Sequence, residues 1–497
     1  MLDNQPASET PEREIEVPER PDDSSSFENP SAALTVPQQA ITPEVEDVTE
    51  PTQAPLQRVT SSFLRRTDDM VEAYLLSLEG ATNHIREKID SIRAQIKPHI
   101  ASEDDNKFSI RYPDDIREAS ELAERMRRFD RINGSNIPHI LASSLFIGVF
   151  SQFDAFMGSL LKEVYSARPE LFKGINKDIS LKDLIDMGSI EAVKQYILEK
   201  DIDTFRRESY SEQFAILERK FSIKTLRKCD EWKPFIEMSQ RRNLLTHNDG
   251  VVNEQYLQAL KNEGYDHKSI PTIGKRLRVK PHYFVVTCLV LSTLSVMLTH
   301  TLWRALLPED IERESRSLTE TVYDLLLHER YNVAIPIGKF SLKPEVTKNI
   351  AEADIRVRAI NLAIAYKHCD AMDEARKLLN SYDWSATPRD FALAKQVLYD
   401  EFPEAIESML EIGRNGMFVS QIAYHDWPLF VDFRKRQDFR DAYRKIYDCD
   451  FEPSRSDEPK AETIENILEL EKPATCNRSP EDQTKSEFYN KPQPDLA

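Results

Sequence analysis

The residues with the most chemical content stand together in SQRRNLLTHNDGVVN, residues 239–253. Arg242, Asn243 and His247 fall within six positions, next to an Asn-Asp-Gly turn. Arginine offers planar, charged donors that match phosphate oxygens. Histidine titrates near neutral and moves protons. This pairing suits RNA cleavage by attack of a ribose 2′-hydroxyl on the adjacent phosphate. That reaction needs a base, an acid for the leaving 5′-oxygen, and a cation beside the crowded phosphate. It requires no metal, and the sequence carries no metal-ligand spacing. A P-loop, a dinucleotide fingerprint, a Ser/His/Asp signature and a paired-carboxylate motif are all missing from the sequence, so no cofactor is expected.

These residues need a helix to place them. Phe235, Ile236, Met238, Leu244 and Leu245 supply apolar contacts for one, and Asn248-Asp249-Gly250 stops it. His247 then lies in the last turn, where the helix dipole favours a cation. Asn243 and His247 are four apart and share a face. Arg242 is five before His247, about 140° around the helix. One copy would not close both onto a small substrate. Two copies across a two-fold axis would each line a shared cleft. The plainer alternative is a packed arginine and a favourable cation at a helix end. Asp154, between Phe153 and Phe156, is a further candidate, with a structural carboxylate as its alternative. Arg241 and the basic run KRLRVKPH (275–282), through Lys275, Arg276, Arg278 and Lys280, are candidates for RNA binding, against a solvated loop. The remaining histidines, His139 among them, form no ligand pattern.

The chain has 497 residues and a formal net charge of −19. Residues 1–60 hold 13 acids and 3 bases, and residues 452–497 hold 11 acids and 6 bases. Most of the negative charge therefore sits in the tails, and a nucleic-acid partner is not excluded for the middle. Both ends, 1–60 and 451–497, are rich in Pro, Glu, Ser and Thr and read as disordered. The five cysteines are scattered and never form a C-x-x-C pair, which fits a reducing cytoplasm. No charged-then-apolar segment opens the sequence. The apolar stretch 283–303 is just long enough to cross a membrane. Its Ser, Thr and His content points instead to a central buried helix, so no membrane is expected.

Between the tails, strand signals are nearly absent, and an all-α fold is expected. A helical arm covers 61–130. Within it Val71, Leu75, Leu78, Ile85, Ile89, Ile92 and Ile96 step by three and four, a seam for a coiled coil or for packing on the neighbouring domain. A capped amphipathic helix follows at 112–134. A helical bundle covers 131–310, with helices near 139–172, 181–200, 203–221, 230–247 and 281–306. From 316 to 450 paired short helices resemble a degenerate tetratricopeptide repeat. Ala334, Ala375, Ala405 and Ala442 mark its phrases. Solenoids of this kind present a surface to a protein partner or regulator.

Arg-Asn-Leu-Leu-Thr-His at 242–247 resembles the R-x4–6-H motif of HEPN ribonucleases, including the polar residue directly after the arginine. RRESYSEQFAILERKFSI, RRNLLTHNDGVVNEQYL and FSQFDAFMGSLLKEVY resemble that family's helical framework, over roughly 130–310. The resemblance implies a metal-independent endoribonuclease that works as a homodimer, leaves a 2′,3′-cyclic phosphate, and serves as a toxin or anti-phage effector. It also implies roles. Arg242 would contact phosphate, Asn243 would orient it, His247 would do the acid–base work, and Asp154 would face the site. Some HEPN proteins lack nuclease activity, so the alternative is a non-catalytic HEPN and repeat interaction module.

Overall fold

The computed structural model describes residues 53–104, 107–175, 178–266 and 270–452. The remainder of both tails lies outside the described residues. Helix α1 spans Pro55–Ile96, with proline at its start, where a missing N–H is harmless. It begins inside the stretch expected to be disordered because Ala54, Leu56 and Phe63 are core residues. Thr60 Oγ1 meets Thr299 Oγ1 at 2.9 Å, and Tyr74 stacks on Phe284 with ring centroids 4.1 Å apart. Beyond Tyr74 the helix is more exposed. Its Ile85, Ile89 and Ile92 are half-buried, and α2 (Ile116–Asn133) packs on α1. The first part of the seam, Val71, Leu75 and Leu78, meets the first core. Between the two helices lies an antiparallel hairpin that was not anticipated, β1 (Ile100–Asp104) and β2 (Lys107–Ile110). Of the two acids that could begin α2, Asp114 and Asp115, it is Asp115 that caps it, accepting from the amides of Arg117 and Glu118 at 3.0 and 2.9 Å.

Helix α3 (Ile137–Ala167) carries Phe146, Phe150, Phe153 and Phe156 into the first core. Next come α4 (Leu181–Met187), α5 (Ile190–Arg207), α6 (Tyr210–Phe221), α7 (Trp232–His247), α8 (Glu254–Asn262) and α9 (Pro281–Leu306). The boundaries near 200 fall elsewhere than expected. Gly188 ends α4 at φ 69°, Ser189 caps α5, and Ser209 caps α6. Local capping chemistry overrode the hydrophobic period there. Helix α9 is the core helix it was expected to be, with 83% of its most apolar window buried. It serves two cores at once. Leu291, Leu294, Leu298 and Leu302 face the first, while Val296 and Met297 belong to the second. The division expected near 310–316 is thus bridged by a shared helix.

The second core is built by α10 (Ile311–Leu327), α11 (Tyr331–Ser341), α12 (Pro344–Thr347), α13 (Glu352–His368), α14 (Met372–Asn380), α15 (Arg389–Leu398), α16 (Phe402–Ile412), α17 (Gln421–Asp426) and α18 (Gln437–Tyr447). Three turns here repeat one geometry. Glu329, Asp370 and Asp400 each adopt positive φ between paired helices. The following amide bonds back to a carbonyl five residues earlier: Arg330 to Leu325 at 2.7 Å, Ala371 to Tyr366 at 2.9 Å, and Glu401 to Gln396 at 2.8 Å. This is the bond that closes helix C-termini in general. Ala334, Ala375, Ala405 and Ala442 are all buried, as their small size in the pattern suggested. Arg358 is also fully buried, and its guanidinium ties α13 to Ser315, Thr319 and Ser341 at 2.6–3.0 Å. The fold among the described residues is all-α apart from the one hairpin.

Candidate nucleic-acid site

Helix α7 divides its polar residues between two clusters. Arg242 faces α3 and α6. Its Nη2 lies 3.3 Å from the Tyr210 hydroxyl and 3.6 Å from Asp154 Oδ2, and Tyr210 donates to Asp154 Oδ1 at 2.6 Å. The Arg242 guanidinium rests near the rings of Phe150 and Tyr210. Its Nε is buried without a hydrogen-bond partner, a costly state for a charged donor. Asp154 sits on α3, its backbone carbonyl accepting from Arg206 Nε at 3.1 Å. Arg206 lies across Gly158, where a side-chain Cβ would come within 2.0 Å of its Nη2. Burial raises the Asp154 carboxyl above its ordinary range. The Tyr210 hydrogen bond, Arg242 and Arg206 oppose that rise. Burial, with Asp154 second, pushes the Tyr210 hydroxyl strongly upward, so it remains a donor. The Asp154 side chain is 32% exposed and that of Arg242 25%, so the cluster opens to solvent.

Arg241 was expected on an RNA-binding surface, and that expectation is corrected. It is 6% exposed, with Nη2 2.7 Å from Glu237 Oε1 and its guanidinium 3.9 Å above the Tyr283 ring. Tyr256 and Tyr283 donate to the two Glu237 oxygens at 2.7 and 2.5 Å. Glu237 is itself 4% exposed. Arg241 is a packing cation because one helical step turns it from solvent into the core.

At its C-terminal end α7 behaves as the Asn-Asp-Gly turn predicts. Asp249 and Gly250 take positive φ. A Cβ on Gly250 would lie 2.6 Å from the Leu277 carbonyl. That close approach lets 250–252 pair with 274–277: Leu277 donates to Gly250 at 2.8 Å and Val252 to Lys275 at 2.9 Å. Leu277 and Val279 point inward, while Lys275, Arg276, Arg278 and Lys280 are exposed. The basic run is therefore an extended strip fixed to the end of α7, with Arg276 2.5 Å from Asp249. His247 is exposed and Asn243 half-buried.

Two residues in this region escaped sequence reasoning. Tyr210, which links Asp154 to Arg242, had only its place in the α6 phrase to mark it. His139, at the start of α3, is half-buried and 3.4 Å from Ser143. Burial lowers its imidazole below the usual histidine range, with nearby Arg278 and Arg276 adding to the effect and Asp249 opposing it. It shares the electrostatic surroundings of the α7 terminus, and no local sequence signal places it there. Arg242, Asp154 and Tyr210 thus meet in one cluster. His247, Asn243 and the basic strip occupy the helix face and terminus beside it, and Arg241 stands apart. Protein-family models, curated proteins and solved structures offer no match to this chain.

Proposed function

We propose that this chain is a metal-independent endoribonuclease of HEPN type, working as a homodimer on cytoplasmic RNA as a toxin or anti-phage effector. The observation that carries the reading is the end of α7. An exposed histidine stands there beside an anchored strip of exposed cations, with a half-exposed arginine held by Asp154 and Tyr210 one turn earlier. In the reaction, a ribose 2′-oxygen forms a bond to phosphorus while the bond from phosphorus to the 5′-oxygen breaks. The base takes the 2′-hydroxyl proton, and an acid returns one to the 5′-oxygen. His247 serves as one of the two proton carriers. His139, whose imidazole burial lowers below the usual histidine range, suits the role of acceptor. Arg242 offers its donors to the phosphate. Asn243 orients it, and the strip from Lys275 to Lys280 holds the flanking backbone.

A second reading keeps the architecture without the chemistry. In it the Arg242–Asp154–Tyr210 contacts are packing, and the chain is a dimerising HEPN and repeat module that binds a protein partner. Arg242 favours this reading in that Asp154 and Tyr210 already engage its Nη2. The test uses purified wild type and His247→Ala, each incubated with total RNA and a transfer-RNA pool in EDTA. Fragments ending in 2′,3′-cyclic phosphate from wild type alone support the enzyme. Intact RNA from both favours the interaction module.

A further inference from the structure

A cavity of about 430 Å³ opens where the two cores part company around α9. Its walls come from three places: α9, the loop at 222–229 that leads into α7, and the α11–α12 corner. The space is half open to solvent, and its volume falls within the range of small-molecule sites, roughly 300–1,000 Å³. Its inner surface is apolar, with Leu294, Leu298, Phe340 and Val346 among the lining residues, all of them buried. Burial pushes the Cys229 thiol up to about 12, so that residue lines the wall as an apolar group and not as a nucleophile.

The rim has the opposite character. Lys224, Lys343 and Lys348 all line the cavity, and none forms an ion pair among the described residues. Lys343 Nζ lies 5.9 Å from the centre of the Phe340 ring, over the aromatic wall. Arg304 also lines the space, but Glu314 occupies it at 2.5 Å. Glu345 is the one acid in the lining. Lys343 also acts on the nearby Glu231 carboxyl, and the lining as a whole sets three lysines against one acid, Glu345, over an apolar floor. An uncharged apolar ligand would leave the lysines idle, and a small inorganic anion would leave the floor unfilled.

We propose that this cavity binds a dissolved amphipathic anion, an acyl or similar apolar body carrying a carboxylate or phosphate head. The apolar body lies against α9 and Phe340, and the head sits among Lys224, Lys343 and Lys348. The site does not depend on the nuclease reading, since none of its residues belongs to the α7 cluster.

The test is calorimetric titration of the full chain with dodecanoate below its micelle concentration. Two variants accompany it: the triple change Lys224→Gln, Lys343→Gln, Lys348→Gln, and Ala305→Trp, which puts a ring into the mouth from an exposed position on α9. All four positions are exposed or half-buried, so both variants should melt as wild type does. The expected result is saturable binding of one dodecanoate per chain, about tenfold weaker in the triple variant and weaker again in Ala305→Trp. Dodecanol should bind wild type and the triple variant alike. Three results would overturn the proposal: no saturable binding, equal affinity in wild type and both variants, or binding to phosphatidylglycerol vesicles without binding of dissolved dodecanoate.

Discussion

Two clusters meet on α7, each joining an arginine to a carboxylate and to tyrosine, and they differ in how far they are closed. Arg241, Glu237, Tyr256 and Tyr283 form a sealed knot, with the arginine 6% and the glutamate 4% exposed. Arg242, Asp154 and Tyr210, on another face of α7, form an open one, with a long 3.6 Å ion contact and an unpartnered Nε. In the sealed cluster the Glu237 oxygens accept from one arginine and two tyrosines at 2.5–2.9 Å. A buried pair with its hydrogen bonds completed is structural, since it has nothing left to offer a ligand. The unpartnered Nε is itself buried, but the Arg242 and Asp154 side chains keep 25% and 32% of their surface open to solvent, which a phosphate could use. Adjacent arginines thus have opposite settings, and the comparison can be broken by mutation.

The largest effect should fall on activity. If α7 does the chemistry, His247→Ala lowers the RNA cleavage rate by about a hundredfold to ten-thousandfold, the usual worth of a positioned acid or base. Thermal stability should not move, because His247 is exposed. An unchanged rate would make the open cluster as structural as the sealed one. Next in size is Arg241→Ala, which leaves Glu237 buried without its cation. Breaking such a pair costs about 3–5 kcal/mol, read as a shift in the denaturation midpoint. Replacing both residues, Arg241→Met with Glu237→Leu, should recover a good part of the loss. The same paired replacement of Arg242 and Asp154 should change stability far less.

A smaller effect sharpens the comparison through titration. Burial raises the Asp154 carboxyl, and the Tyr210 hydroxyl is the strongest influence opposing that rise. Tyr210→Phe should therefore move the Asp154 titration further up, followed by NMR of its carboxyl carbon. The sign for stability follows. A carboxyl raised in the folded state binds protons more tightly there than in the unfolded chain. Its contribution is present below the unfolded value, 3.8, and is lost as pH rises through the folded value. The variant should lose more stability than wild type over that window. An unmoved titration would mean that Tyr210 does not hold Asp154.

Much of this was legible in the sequence where the signal is local. Phe235, Ile236, Met238 and Leu244 marked the helix, Asn248-Asp249-Gly250 marked its end, and the Asp114-Asp115 pair marked the start of α2. The four alanines of the second half are buried because a small residue in a helix-pair pattern has one obvious reason to be there. The hidden parts depend on residues brought from a distance. Whether Arg241 or Arg242 faces inward is decided by Tyr256 and Tyr283, which approach α7 from later helices. His139 gains its setting from Arg276 and Arg278, far along the chain. The helical start at Pro55 was obscured by the tail composition around it, since Leu56 and Phe63 are too few to stand out. The cavity beside α9 reflects three segments that do not quite meet, and no period encodes a gap.

The smallest stability effect, and the finest discrimination, lies in the basic strip. Arg276 and Asp249 form an exposed pair, with side chains 45% and 70% accessible. Arg276→Ala should change stability by at most a few tenths of a kcal/mol, because surface pairs are screened and entropically costly. Its mark should appear in RNA binding instead. Removing one phosphate contact lowers the steepness of the salt dependence by about 0.7 for a single strand. Measured with the His247→Ala protein, the logarithm of affinity against the logarithm of salt should flatten by that amount. Arg278→Ala should flatten it similarly and also raise the His139 titration, since Arg278 is one of the charges that lower it. Changing Arg241 to Met, together with Glu237→Leu, should leave the slope where it was. If instead the Arg241 change flattens the slope and the Arg276 change does not, the two arginine environments have been assigned the wrong way round.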